Sequence, residues 1–284
     1  MSAPTVLITG TSSGIGLEIA VGAARAGWRT VATLRDPARA GPLRAAAEAA
    51  GVADLIEVRR LDVVDQASVT ACVADVVAAH GRLDAVVNNA GAGHVGTLEQ
   101  ETVEDVRAVM EVNFFGVLHV TRAALPHLRA ARGRLLTVTS VGGVIGQPFN
   151  EAYCAAKFAV EGFMESLAPL AATHGVSVTV LEPGAVASEF VANVGIDPEA
   201  AIAAAGVYGP ALRAYLTRSA TAFAAAQSAA DAAAVVVATL TDPEPAPRVQ
   251  TSPAARRFVA VKLADTDGLG VAALTAGWLR EPPV

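Results

Sequence analysis

The sequence predicts an α/β protein built on a doubly wound parallel sheet of about seven strands, with helices on both faces. Three observations carry this. Short Val/Leu/Ile runs alternate with longer stretches of helical periodicity, as strands buried on both faces alternate with their helical crossovers. A glycine-rich turn, Gly10-Thr11-Ser12-Ser13-Gly14-Ile15-Gly16, follows the first run. The 284 residues are 53% apolar and 17% charged, which suits one large domain with a sizeable core.

In order, strands are predicted at residues 5–9, 29–34, 55–61, 84–88, 133–139, 176–181 and 248–251, each an apolar run bounded by turn residues. Helices are predicted at 15–25, 38–50, 66–79, 103–128 and 152–173 from their periodicity. Residues 190–226 break the alternation. They are alanine-rich with scattered aromatics and read as mobile helices over the sheet edge. The predicted organisation is therefore one dinucleotide-binding domain over 1–284. Its core is 1–188 and 229–252, a substrate lid covers about 189–228, and an extension runs over 253–284. No internal repeat or low-complexity linker interrupts it.

The glycine turn has a mechanical reading. Gly10 permits the turn, Gly14 lets a ligand approach the backbone, and Gly16 lets the helix pack closely. A pyrophosphate would then meet free N–H groups at a helix N-terminus. The second chemical signal is Tyr153, four residues before Lys157 in a helix pattern, so both side chains leave one face. Lys157 is one of only two lysines, with Lys262. Tyrosine has an ordinary pKa of about 10, and a neighbouring ammonium favours its phenolate. Taken alone, the pair is also what an exposed helix face looks like.

Further motifs stand around this pair. Asn88-Asn89-Ala90-Gly91 follows a strand, Asn113 lies in a helix pattern, Ser140 ends a strand thirteen residues before Tyr153, and Pro183-Gly184 follows the next. In this order and spacing, and with Gly-x-x-x-Gly-x-Gly at the first turn, residues 5–190 resemble the short-chain dehydrogenase/reductase family. The resemblance implies a Rossmann sheet and a nicotinamide cofactor. It implies roles for Tyr153 as general acid or base, for Lys157 in lowering the tyrosine pKa and binding the ribose, for Ser140 in fixing the substrate oxygen, and for Asn113 in anchoring a proton-relaying water. It places cofactor contacts at Gly10, Ser12, Ser13, Gly14, Ile15, Gly16, Asp62, Val63, Asn89, Ala90, Gly91, Tyr153, Lys157, Pro183, Gly184, Val186 and Ser188.

Cofactor choice is read at the end of the second strand. An NAD site usually carries a carboxylate there; this chain has Leu34 followed by Arg35. A guanidinium can pair with a 2′-phosphate through two hydrogen bonds, so NADP is expected ahead of NAD. The alternative makes Arg35 a solvated loop charge and gives the ribose to Asp36.

The stretches from Ser140 to Asn150 and from Tyr153 to Gly162 look like the branch holding type 1 17β-hydroxysteroid dehydrogenases and photoreceptor retinol dehydrogenases. That implies a hydrophobic ketone or secondary alcohol of steroid, retinoid, polyketide or lipid type, and a homodimer or homotetramer. The competing readings are a catalytically silent dinucleotide sensor and a nucleotide-sugar epimerase or dehydratase. The silent protein is disfavoured because the tyrosine, lysine and serine are all present, and the epimerase because of its different glycine spacing. Net charge −6 gives no footprint for nucleic acid. No apolar run is long enough to span a bilayer. No signal peptide is apparent, so a cytoplasmic location is expected. Cys72 and Cys154 fit neither a metal nor a disulfide spacing, and no metal is expected.

Overall fold

In the computed structural model, which describes residues 3–192 and 194–280, the apolar runs pair into one parallel sheet. Its strands are β1 (Thr5–Thr9), β2 (Arg29–Leu34), β3 (Ile56–Arg60), β4 (Ala85–Asn88), β5 (Arg134–Val138) and β6 (Ser177–Glu182). After a separate two-stranded pair, β7 (Val186–Ala187) with β8 (Gln227–Ser228), comes β9 (Arg248–Gln250). The spatial order is β3-β2-β1-β4-β5-β6-β9, with all neighbours parallel. β1 and β4 are buried throughout, whereas the edge strand β3, Ile-Glu-Val-Arg-Arg, is only partly covered. Charges on an edge strand discourage further pairing.

The helices are α1 (Gly14–Arg25), α2 (Gly41–Ala49), α3 (Gln66–His80), α4 (Val103–Met110), α5 (Gly116–Ala131), α6 (Glu151–Ala172), α7 (Glu189–Ala192), α8 (Pro198–Ala204), α9 (Gly209–Ala224), α10 (Ala229–Thr241), α11 (Pro253–Ala264) and α12 (Leu269–Ala276). Successive side chains of a strand point to opposite faces. Ile8 accordingly joins Leu17, Ile19, Val236 and Leu240 under α1 and α10. Leu7 joins Val73, Val120, Val160 and Met164 under α3, α5 and α6. Each such side chain, fully buried, contributes on the order of 1.5–3 kcal/mol.

The chain runs from β1 outward to β3, then returns to lay β4 on the other side of β1. In such sheets ligands bind where the strand order reverses, outside the C-terminal strand ends. The loops after β1, β4, β5 and β6 all open there.

Three features differ from the sequence reading. The helix expected over 103–128 is two helices joined by a π turn, Glu111–Phe115. The helix expected from residue 38 begins with a 3₁₀ turn, Pro37–Ala40, because the Asp36 carboxylate caps the Ala38 N–H at 3.0 Å. The segment expected as mobile helices over the sheet edge is helical and carries a closure the pattern did not show, the β7–β8 pair at its base. It is also covered by the C-terminal segment: Trp278 packs beside Leu212 and Tyr215 of α9 and stacks on Phe258 at 5.8 Å. Two-residue strands have no periodicity to detect, so the closure left no trace in the sequence pattern.

Candidate active site

The glycine turn after β1 has the shape a phosphate-bearing ligand needs. Gly10 (φ 70°) and Gly14 (φ 57°) sit in the left-handed region. A Cβ on Gly10 would lie 2.8 Å from the Ala90 backbone, and one on Gly16 only 2.2 Å from the Gly10 carbonyl oxygen. The turn leads into α1, whose N-cap Ser13 is extended and makes no capping side-chain bond. The Ser13 hydroxyl therefore remains available beside the free N–H groups of the first turn. A dinucleotide pyrophosphate fits this cradle. Ser12, Ser13 and Ile15 are partly exposed around it.

The loops after β1 and β4 are tied together by Thr9 and Asn89. The Thr9 hydroxyl accepts from both Asn89 N and Ala90 N at 3.0 Å. The Asn89 Nδ2 donates to the Thr9 and Gly10 carbonyls at 2.9 and 3.0 Å. Asn113, fully buried within the π turn, holds the next stretch of this loop. It accepts from Ala92 N at 3.1 Å, and its Nδ2 donates to Ala92 O at 3.0 Å and Val109 O at 3.1 Å. A Cβ on Gly91 would lie 3.0 Å from Asn113 Oδ1 and 3.5 Å from Lys157 Nζ. Asn113, Gly91 and Lys157 thus converge on one spot.

Ser140 follows β5 and accepts from Gly142 N at 2.9 Å. Tyr153 and Lys157 share one face of α6, with Nζ 5.8 Å from the centre of the Tyr153 ring. Nζ donates to the Val138 carbonyl at 3.2 Å. Loss of water pushes the Tyr153 phenol up to about 12, while a hydrogen bond from Ser140 works the other way. The lowering expected from Lys157 does not figure among the causes of this shift, of which desolvation is the largest. Burial also pushes Lys157 down to about 8, with the Glu161 carboxylate opposing. Such an arrangement holds a proton on the phenol and a cation beside it, and both can be handed to a ligand placed between them.

The remaining residues sit around this crevice or beyond it. Ser188 meets the turn, its Cβ 3.2 Å from where a Gly14 Cβ would stand. Pro183 accepts from Val141 N at 2.9 Å, linking the β5 and β6 loops; Gly184 follows it and Val186 is buried. Asp62 and Val63 follow β3, where Val63 packs against Gly116. Arg35 is exposed at the end of β2, beyond buried Leu34. Burial pushes both thiols, Cys72 and Cys154, up to about 11, which marks them as packing residues. Among the described residues no cluster of metal ligands occurs, and no helix is long and apolar enough to cross a membrane.

The sequence reading missed Thr9, Glu161 and the His94–Glu101 pair. Glu161 carried a signal, since it stands four residues beyond Lys157. His94 and Glu101 carried none, because their contact depends on the loop's fold.

A nucleotide cradle, a strand-order reversal and a tyrosine–lysine pair on one helix define a dinucleotide-dependent oxidoreductase. The model of the short chain dehydrogenase family matches residues 4–199, and the chain belongs to that family. It is 37% identical over 279 residues to retinol dehydrogenase 8 of Bos taurus, covering 93% of this chain and 86% of that protein. It is 46% identical over 195 residues to estradiol 17-beta-dehydrogenase 1 of Rattus norvegicus, covering 67% of this chain but 56% of that protein. Among solved structures, a short-chain dehydrogenase from Streptomyces avermitilis superposes with a TM-score of 0.76 at 30% identity, covering 98% of this chain and 96% of that one. An alcohol dehydrogenase from Thermococcus sibiricus, complexed with 5-hydroxy-NADP, gives 0.71 at 25% identity, covering 87% and 95%. A short chain dehydrogenase/reductase from Burkholderia phymatum, in complex with NAD, gives 0.77 at 25%, covering 93% and 94%. A nicotinamide dinucleotide is the cofactor class these findings support.

Proposed function

We propose that the chain is an NADP(H)-dependent oxidoreductase acting on a hydrophobic ketone or secondary alcohol. The observation that carries the reading is the convergence of Ser140, Tyr153, Lys157 and Asn113 beside the glycine cradle. When bound, the cofactor supplies or accepts the hydride. The residues do the rest. Tyr153 Oη holds the proton that the carbonyl oxygen receives, and burial keeps that proton in place at neutral pH. Ser140 Oγ, beside that phenol, fixes the same substrate oxygen. Lys157 presents its ammonium to the nicotinamide ribose and to Tyr153. Asn113 locks Ala92 and, through water, connects Lys157 to solvent.

Arg35 supports NADP over NAD. Its guanidinium is exposed at the end of β2, while Asp36, the alternative ribose ligand, has one carboxylate oxygen engaged by Ala38 N. Of the expected steroid, retinoid, polyketide or lipid types, retinol dehydrogenase 8 and estradiol 17-beta-dehydrogenase 1 support the retinoid and the steroid. In this reading residues 189–228 are the lid, with Phe190 packed edge-on against Tyr153 at 5.9 Å, and 253–284 are the extension on a core of 1–188 and 229–252. Exposed Phe158, Phe163 and Leu170 on α6 support a homodimer or homotetramer through that helix, checked by light scattering. The deciding experiment follows NADPH and NADH oxidation by the purified protein against a panel of apolar ketones and aldehydes. Turnover of at least one ketone with NADPH is expected; no turnover across the panel would sink the reading.

A further inference from the structure

The loop after β3, residues 61–65, is tied from one side to the sheet and to α3. Leu61 N donates to the Leu34 carbonyl at 2.9 Å and Asp62 N to Ser68 Oγ at 3.1 Å. The Asp62 carbonyl accepts from Asp65 N at 3.1 Å, and Asp62 Oδ1 from Val64 N at 3.3 Å. Val63 is held from another direction, by α5. His119 Nδ1 stands 3.0 Å from the Val63 carbonyl oxygen. A carbonyl only accepts, so Nδ1 carries the hydrogen and donates it. One turn earlier, Gly116 makes room for the Val63 side chain. A Cβ there would lie 2.8 Å from Val63 Cγ2 and 2.9 Å from its Cβ. Residues three apart share a helix face, so Gly116 and His119 present one surface shaped to Val63. Gly116 is buried and His119 half-buried.

The loop stands across the strand-order reversal from the reacting groups. β3 pairs with β2 as far as Leu34 and Arg60, so the loop that follows adjoins Arg35. Lys157 donates to the Val138 carbonyl of β5, which places the Tyr153–Lys157 pair on the β4-β5-β6 half. A doubly wound sheet lays a dinucleotide across the reversal, one nucleotide on each half. The adenosine therefore falls to the β1-β2-β3 half, beside this loop. Val63 N and Asp62 Oδ2 have no hydrogen-bond partner among the described residues, which leaves a donor and an acceptor there.

We propose that His119 is a positioning residue for the adenosine half of the cofactor, holding the Val63 carbonyl so that the loop meets the nucleotide in one conformation. This deepens the dinucleotide-dependent reading and rests on it. It also gives the α5 rod a hold on both ends of the cofactor. Asn113, in the π turn that precedes α5, fixes Ala92 on the nicotinamide side, and His119, six residues on, fixes Val63 on the adenosine side.

The test titrates NADPH, and ADP as the adenosine half alone, into wild type, His119→Phe, His119→Asn and Gly116→Ala by calorimetry. His119→Phe keeps a ring and loses the donor. Its Kd for both ligands should rise about two- to tenfold, the scale of one hydrogen bond. The KM for NADPH should rise with it, while kcat at saturating NADPH stays near wild type. In His119→Asn the carboxamide Nδ2 stands near the lost Nδ1, so both Kd values should return toward wild type. A merely structural histidine would give no such rescue. Gly116→Ala pushes Val63 by packing instead of by a lost bond, and should also weaken ADP; it decides the matter should His119→Phe not fold. An unchanged ADP Kd in His119→Phe, or in Gly116→Ala where it stands in, overturns the proposal, as does His119→Asn binding as weakly as His119→Phe. A wild type that binds ADP and NADPH yet reduces no ketone sinks the reductase and keeps the role of His119. A wild type that binds neither sinks both.

Discussion

Glu161 stands one helical turn beyond Lys157 on α6, and the two side chains are almost fully buried, at 5% and 4% exposure. The Glu161 carboxylate accepts from Thr139 Oγ1, the residue before Ser140. Arg248 of β9 approaches it at 3.4 Å, while Glu165 on α6 and Glu182 on β6 repel it. Burial pushes Glu161 up to about 7, and Glu161 in turn opposes the loss of the Lys157 proton.

This relationship sets a pH dependence. Lys157 is pushed down to about 8, so its ammonium is lost as pH rises through that value, well before a free lysine would titrate. With Lys157 holding the ribose as proposed, NADPH affinity is expected to weaken over the same interval. Glu161→Gln removes the supporting charge and should move the onset roughly one unit lower. NADPH Kd measured by fluorescence from pH 6 to 9.5 checks this; an onset that does not move breaks the link.

Tyr153→Phe is expected to lower kcat by at least about a hundredfold, the scale of lost general acid catalysis, while NADPH Kd changes little. The ring still packs on Phe190, and only Oη is gone. Lys157→Ala should weaken both kcat and cofactor affinity. A Tyr153→Phe protein with near-normal turnover removes the phenol from the chemistry.

Gly16→Ala and Gly162→Ala should move in opposite directions. At Gly16 the added methyl meets backbone at 2.2 Å, which cannot move without opening the cradle, so Tm and NADPH affinity both fall. At Gly162, exposed in the middle of α6, nothing lies within 4 Å of the added methyl. A gain of about 0.4–1 kcal/mol from the stiffer unfolded chain is expected. Thermal melts and NADPH titrations of the two variants read this directly.

Replacing Leu34 by Asp and Arg35 by Ser should move preference from NADPH toward NADH. The aspartate accepts from a 2′-hydroxyl and repels a 2′-phosphate, and the lost guanidinium removes a pair worth about 1.5–3 kcal/mol, or roughly ten- to a hundredfold. The ratio of kcat/KM for the two cofactors is the measurement. A wild type that already prefers NADH makes Arg35 a bystander.

Most of the sheet was legible because its strands are continuous apolar runs and its turns carry glycine. The motifs at Gly10–Gly16, Asn89, Ser140 and Tyr153 each end a strand or begin a helix, so predicting the elements also located the site. What stayed hidden depends on tertiary geometry. The β7–β8 pair is too short to show a period, and the packing of Trp278 against α9 joins segments more than sixty residues apart. The direction of the Tyr153 shift was misread for a related reason. Spacing places Lys157 beside it, but only the folded chain shows how much water both groups have lost.

The π turn at Asn113 has a consequence for α5. A π turn holds one residue more than the α-helix around it, and one residue is about 100° of rotation. A chain that repaired this turn into regular helix would swivel everything after it, carrying Val117, Val120 and Ala124 off the sheet. Asn113 thus works as a phase shifter between two halves of one rod. The upstream half is indexed to the loop that holds Ala92, and the downstream half to the hydrophobic face beneath β4 and β5. An error at this one carboxamide would be felt as a misalignment of the whole helix.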